Sequence, residues 1–321
     1  MRKLVSRWCA GAAAGVAIAA FASALPADAA TSAPDASSAS GVTLVNGAGR
    51  TVTLPAAALS ALRATAGAAS FTPAGAKAAK SKLEPKGSLH PAGAGSVRPD
   101  SIIGPVDGRV QEYSTTTYPW GAITHLEMSI GGCTGFLLSR DTIVTAGHCV
   151  YNGGWATSYT AYPGRNGANY TPYGSCSGGS ADLWTNTLWV STGSEDYDYG
   201  MIKLTCDIGY STGWFGWWYN EGENLVGQYF YVEGFPGDKP YGTMWWDGDT
   251  VVSQTSRRVF YNIDTYPGES GSPFYRYRSS SEGLCAGWCI TGIHTTGGSV
   301  NGGTRFNSEV MGIINYVIGL P

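Results

Sequence analysis

Residues 268–273 read Gly268-Glu269-Ser270-Gly271-Ser272-Pro273. A serine set between glycines belongs where the backbone turns sharply and another chain comes close, because glycine enters left-handed conformations without strain. In such a turn the N–H groups of Gly268 and Ser270 can converge beside the serine hydroxyl and stabilise an oxyanion, at roughly 3 kcal/mol per donor. The chain holds 46 glycines, so the motif needs partners before it carries chemistry. A serine hydroxyl requires a base. Of the four histidines, His90 lies in an Ala- and Pro-rich leader, which leaves His125, His148 and His294. His148 stands in Thr145-Ala146-Gly147-His148-Cys149, directly after the apolar strand pattern Thr142-Ile143-Val144, where a strand end and a cysteine can hold it. The third member is a carboxylate that orients the imidazole. The run from Asp196 to Leu204 offers two, Asp198 next to the apolar strand and Asp196 behind it.

Around these motifs the composition predicts an all-β chain with one terminal helix. Apart from Trp8, every tryptophan and tyrosine falls after residue 100, among abundant Gly and Thr. Aromatic and β-branched residues suit a half-buried pleated surface, and glycines suit its turns and bulges. Helical periodicity is confined to Ser308–Ile318. A length of roughly 220 residues fits two barrels folded as one domain. The net charge of -3 and the 13% charged fraction show no basic stripe, so nucleic acid is not an expected partner.

The first hundred residues read differently. Arg2, Lys3 and Arg7 precede an apolar, Ala-rich run from Gly11 to Leu25, and Pro26-Ala27-Asp28-Ala29 offers a small-x-small cut, so residues 1–29 are expected to be a signal peptide. No other stretch is long enough to span a bilayer, and an extracellular product without a membrane segment is expected. Residues 30–100, poor in aromatics, are expected to be a propeptide outside the catalytic fold. Without Cys9 of the signal, six cysteines remain: Cys133, Cys149, Cys176, Cys206, Cys285 and Cys289. An even number in an exported chain implies disulfides, and the absence of a CxxC pair disfavours zinc. Spacing alone suggests only the local loop Cys285–Cys289. Neither a metal nor a cofactor is expected.

TAGHC followed by GESGSP resembles the chymotrypsin-like serine peptidases, which share the order His, Asp, Ser. More narrowly, residues 101–321 resemble the bacterial glutamyl endopeptidases of V8 and Bacillus type. The blocks that carry this are Ser101-Ile102-Ile103-Gly104, Cys133-Thr134-Gly135, Pro163-Gly164-Arg165-Asn166-Gly167, Tyr197-Asp198-Tyr199-Gly200, Gly234-Phe235-Pro236-Gly237-Asp238-Lys239, Asp264-Thr265-Tyr266 and Ile293-His294-Thr295. The resemblance implies a double six-stranded antiparallel β-barrel with a C-terminal helix, the barrels dividing near residue 212. It implies a triad of His148, Asp198 and Ser270, an oxyanion hole at Gly268 and Ser270, and a new N-terminus at Ser101. It also implies bridges Cys133–Cys149 and Cys285–Cys289, which leaves Cys176 with Cys206.

For the specificity pocket the resemblance implies Thr265 and His294, a hydroxyl and an imidazole that can donate to a substrate carboxylate, hence cuts after Glu and then Asp. Asp264, six positions before Ser270, makes the opposing claim, because trypsin selects Arg and Lys with an aspartate there. Glu269 departs from the glutamyl pattern of Asn or Gln. By analogy with trypsin-like zymogens it is a candidate partner for the amino group freed at Ser101. Expected partners are protein or peptide substrates and the chain's own propeptide, and the mature product is expected to be a monomer. A catalytically dead binding homologue is the alternative of another class, but all three triad members are present.

Overall fold

The computed structural model describes residues 41–60, 66–67, 101–283 and 285–321. The expected signal peptide lies outside these residues, as does most of 30–100.

The strands, in chain order, are β1 (Val42–Asn46), β2 (Thr51–Leu54), β3 (Ala66–Gly67), β4 (Val110–Gln111), β5 (Ile123–Met128), β6 (Gly131–Leu137), β7 (Thr142–Thr145), β8 (Ser158–Pro163), β9 (Cys176–Gly179), β10 (Leu183–Asn186), β11 (Gly200–Lys203), β12 (Gly216–Trp218), β13 (Tyr229–Gly234), β14 (Trp245–Gln254), β15 (Arg258–Tyr261), β16 (Pro273–Arg278), β17 (Gly287–Thr296) and β18 (Asn301–Arg305). They form two sheets. The second contains a closed ring of six, β16-β13-β14-β15-β18-β17, sealed by the β16–β17 pairing. Its interior is a stack of aromatic rings, with Phe230 and Phe274 centred 4.2 Å apart and Tyr261 and Phe274 5.0 Å apart. Offset stacking of this kind adds about 0.5–1.5 kcal/mol per pair beyond burial.

The first sheet runs β2-β1-β10-β11-β7-β6-β5-β8-β9 and is antiparallel throughout. The catalytic part supplies β5–β11 to it, one strand more than six. Its far end is tied back covalently, since Cys176 on β9 is bonded to Cys206 just beyond β11, and the Thr205 hydroxyl donates to the Ser177 carbonyl at 3.3 Å. Both pairings implied by the resemblance are present, and so is Cys176–Cys206, the pair they leave. Val110–Gln111, expected in the first half, instead pairs with β14 of the second sheet.

The leader corrects an expectation. Residues 42–54 are not outside the fold but form a hairpin whose first strand adds to β10, with Leu44 opposite Asn186. A short helix, α1 (Ala56–Ser60), follows. The reason is local: Val42 and Leu44 alternate with Thr43 and Val45, giving the burial pattern of a half-buried strand, which average composition conceals. Four helices follow in the catalytic part, namely α2 (Gly147–Val150), α3 (Thr187–Thr192), α4 (Gly209–Thr212) and α5 (Ser308–Ile318). Helix α5 spans the predicted residues. Asn307 caps it by accepting from the Val310 N–H at 3.0 Å.

The Cys176–Cys206 bridge closes a sequence separation of 30 residues. Replacing both cysteines by alanine is expected to lower the unfolding free energy by about 3–4 kcal/mol on the chain-entropy account, read as a fall in the denaturant midpoint with a steeper slope, because the unfolded chain expands.

Candidate active site

His148 and Asp198 meet because their strands are neighbours. β7 and β11 pair with Thr145 opposite Gly200, so the residues that follow one and precede the other emerge at the same sheet end. His148 sits in α2, and Asp198 follows a 3₁₀ turn, Glu195–Tyr197. Both Asp198 oxygens are used: Oδ1 accepts the His148 backbone N–H at 2.9 Å, and Oδ2 lies 2.8 Å from Nδ1. A carboxylate on Nδ1 puts the ring proton there and leaves Nε2 as the base. Asp198 is 2% exposed, and Asp196 makes neither contact. Gly147 favours this approach, because a Cβ there would stand a tight 3.0 Å from Asp198 Oδ1 and from the Tyr199 nitrogen.

The serine loop is threaded between the two sheets. The Ser270 carbonyl accepts from Thr134 of β6 at 2.9 Å, while Gly271 donates to the His294 carbonyl of β17 at 2.8 Å. Gly268 and Gly271 have φ of 108° and 89°. A Cβ on Gly271 would lie 2.0 Å from the Thr134 carbonyl oxygen, so no other residue fits. Gly268 and Ser270, the expected oxyanion pair, line one cleft of about 520 Å³ together with His148, Asp198, Trp189 and Thr295. Trp189, which no motif announced, sits with its ring 6.4 Å from that of His148.

Glu269 does not meet the Ser101 nitrogen, which donates to Asn301 Oδ1 at 3.3 Å. It is 1% exposed and faces Arg109, whose Nη1 lies 3.3 Å away; Glu269 Oε2 also accepts the Tyr266 N–H at 2.8 Å. The Arg109 side chain is fully buried and also grips Asp107 at 2.9 Å and Asp238 at 2.5 Å. Burial alone would lower the guanidinium pKa, but the hydrogen bonds to Asp107 and Asp238 and the charge of Glu269 raise it instead. Asp107 answers in kind: burial pushes its carboxyl up, and Arg109 and Lys239 more than reverse this, holding it well below the usual range.

None of the claimants to specificity, Asp264, Thr265 or His294, is among the residues that line the cleft. Asp264 is 0% exposed, and its oxygens are spent on the N–H groups of Ile103 at 2.5 Å and Gly108 at 2.7 Å. It is a brace for the segment after Ser101 and does not line the cleft. Thr265 and His294 are also 0% exposed. The Thr265 hydroxyl accepts from Asn301 Nδ2 at 2.9 Å, and His294 Nδ1 lies 2.8 Å from the Tyr261 hydroxyl. The residues after His294, Thr295 to Gly297, form part of the cleft wall. Ser101 adjoins this cluster, its carbonyl accepting from Thr265 N at 3.2 Å and Asn301 Nδ2 at 2.7 Å. Among the described residues, the metal-ligand types that cluster are Cys133, His148 and Cys149; both sulfurs are spent in a disulfide, so this group does not suit a metal.

His125, the remaining histidine, is buried beside Arg165, which donates to its Nδ1 at 3.1 Å. Desolvation and the Arg165 charge, opposed by Glu127, lower its pKa to about 4 from the ordinary 6.5. The folded state then keeps His125 neutral while the unfolded chain takes up a proton. Its contribution is therefore full above about pH 6.5 and is lost as the pH falls to about 4, on the order of 3 kcal/mol. His125→Gln is expected to flatten the stability profile in that window, as followed by thermal melts. Arg109→Gln leaves the buried Glu269 carboxylate without its cation and is expected to cost roughly 3–5 kcal/mol. Urea unfolding should show part of that loss recovered when Glu269→Gln is added.

Comparison with known proteins gives the family. The trypsin family model matches residues 109–317. The chain is 42% identical over 230 residues to a Bacillus subtilis protein named an extracellular metalloprotease, covering 69% of this chain and 71% of that protein. It is also 42% identical over 217 residues to the glutamyl endopeptidase of Bacillus licheniformis, covering 65% and 66% respectively. A solved Glu endopeptidase in complex with MPD superposes with a TM-score of 0.61 at 28% identity, over 68% of this chain and all of that one. With His148, Asp198 and Ser270 gathered on one cleft between two β-sheets, the chain belongs to the trypsin family and is a serine endopeptidase.

Proposed function

We propose that the chain is a secreted endopeptidase that cleaves proteins and peptides after Glu, and then Asp, through an acyl-enzyme. The observation that carries the chemistry is the Asp198–His148 pair facing the cleft that Ser270 lines. His148 Nε2 takes the Ser270 proton as the hydroxyl attacks the scissile carbonyl, and the Gly268 and Ser270 N–H groups receive the oxyanion. The imidazolium, steadied by Asp198, then protonates the leaving amine, and water repeats the sequence on the ester.

The acidic preference is supported by what surrounds the pocket residues. Asp264 has two backbone donors already, so the carboxylate that would draw Arg or Lys is engaged elsewhere. Thr265 accepts from Asn301, and His294 Nδ1 can accept from Tyr261, so each keeps a proton to donate. Two donors suit a carboxylate and repel a cation. The relatives named glutamyl endopeptidases support the same reading.

A peptide library cut by the active enzyme should show Glu, then Asp, before the scissile bond; cuts after Arg or Lys would return the role to Asp264. His294→Ala is expected to lower kcat/KM on a Glu substrate roughly 10- to 100-fold, as a hydrogen bond to a charged group is worth about 1.5–3 kcal/mol, with a much smaller effect on the Gln analogue. A purified Ser270→Ala precursor is expected to stay uncut between Asp100 and Ser101. Maturation of that variant by itself would rule out self-processing.

A further inference from the structure

Strand β10 separates the added hairpin from the rest of the first sheet. On one side it pairs with β11, and on the other, among the described residues, it pairs with β1. Without residues 42–54 it would be an open edge, the kind of surface that captures extended chains. The fit of β1 there goes beyond the ladder. Leu44 is 0% exposed and Val42 4%. Asn46 donates from Nδ2 to the Ala181 carbonyl at 2.8 Å, and the Thr187 hydroxyl donates to the Thr43 carbonyl at 3.0 Å. Gly47 lies so close to Ser180 that a Cβ would fall 2.4 Å from its carbonyl oxygen. Arg50 reaches the Tyr316 hydroxyl of α5 at 3.1 Å and lies over the Trp184 ring, and Leu59 of α1 is 6% exposed.

The same segment then touches the other sheet. Ala66–Gly67 pairs antiparallel with β12, Gly67 opposite Trp217 and Ala66 opposite Trp218. Described residues of this segment therefore lie on an edge of one sheet and on an edge of the second. None of the described residues in 41–67 lines the catalytic cleft. All of them precede the stretch matched by the family model, residues 109–317.

We propose that the catalytic part carries a two-part docking site, the edges of β10 and β12, whose ligand is the chain's own segment 41–67. The segment binds by strand addition at both edges, remains attached after the chain is cut downstream of it, and holds the two sheets together without occupying the cleft. Main-chain pairing supplies the affinity, and the pockets for Val42 and Leu44 supply the selectivity. This holds whichever bond is cut between residues 68 and 100, and does not rest on the acidic preference.

The linker makes the test direct. Lysines stand at 77, 80, 82 and 86, while 41–67 contains none. The full-length Ser270→Ala protein is treated with a Lys-specific peptidase under native conditions and passed over a sizing column. The fragment containing 41–67 is expected to elute with the catalytic part and to separate only in denaturant. Thr187→Ala should weaken its retention several-fold, and Leu44→Asp should release it. Hydrogen exchange on the cut complex should show the β10 and β12 amides still protected. Elution of the wild-type fragment on its own, or its displacement by a peptide substrate of the cleft, overturns the proposal.

Discussion

A guanidinium sealed from water survives only inside a shell of carboxylates, and Arg109 has Asp107, Asp238 and Glu269 around it. Those three come from the entry segment, the loop after β13 and the residue adjoining the nucleophile. One charge thus fixes three pieces of chain that no β-ladder joins. The cation is in place in the uncut chain, so the loop that presents Ser270 is organised by an internal residue. In trypsin-like zymogens the acidic residue at this place waits for an amino group; here its partner is already in position. Buried ion pairs of this kind add little stability over apolar packing, but losing one partner is costly. The cluster therefore specifies a geometry more than it strengthens a fold.

The catalytic residues inherit that geometry from both sheets. His148 and Asp198 belong to neighbouring strands of the first, and the Thr304 hydroxyl of β18 donates to the Asp198 carbonyl at 3.0 Å from the second. The Ser270 loop hangs between Thr134 and His294. Glycine at 271 is the condition for this stitching, since any side chain would collide with β6. Rigid placement of this sort is what catalysis by positioned groups demands.

Much of this was legible in the sequence where the signal was local. His148, Asp198 and Ser270 each sit in a short motif with its own backbone logic, and helix α5 announces itself by periodicity. What stayed hidden was relational. Asp264 takes its meaning from Ile103, 161 positions away, and Glu269 from Arg109, 160 away. Tyr261 and Asn301, which hold His294 and Thr265, belong to no motif. The hairpin at 42–54 was hidden for a different reason: its strands of five and four residues are diluted by an Ala-rich surround, so a compositional average reads them as leader.

Asp264 also bears on what this scaffold can become. Its carboxylate supports the backbone of Ile103 and Gly108 and so lies under the same constraint as a buried core residue. A lineage drifting towards basic substrates would have to place a new acidic group elsewhere on the cleft wall, because freeing Asp264 would unseat the entry segment first. Two aspartates at the same distance from a nucleophile can thus lie on separate adaptive paths, one open to retuning and one closed by its structural duty.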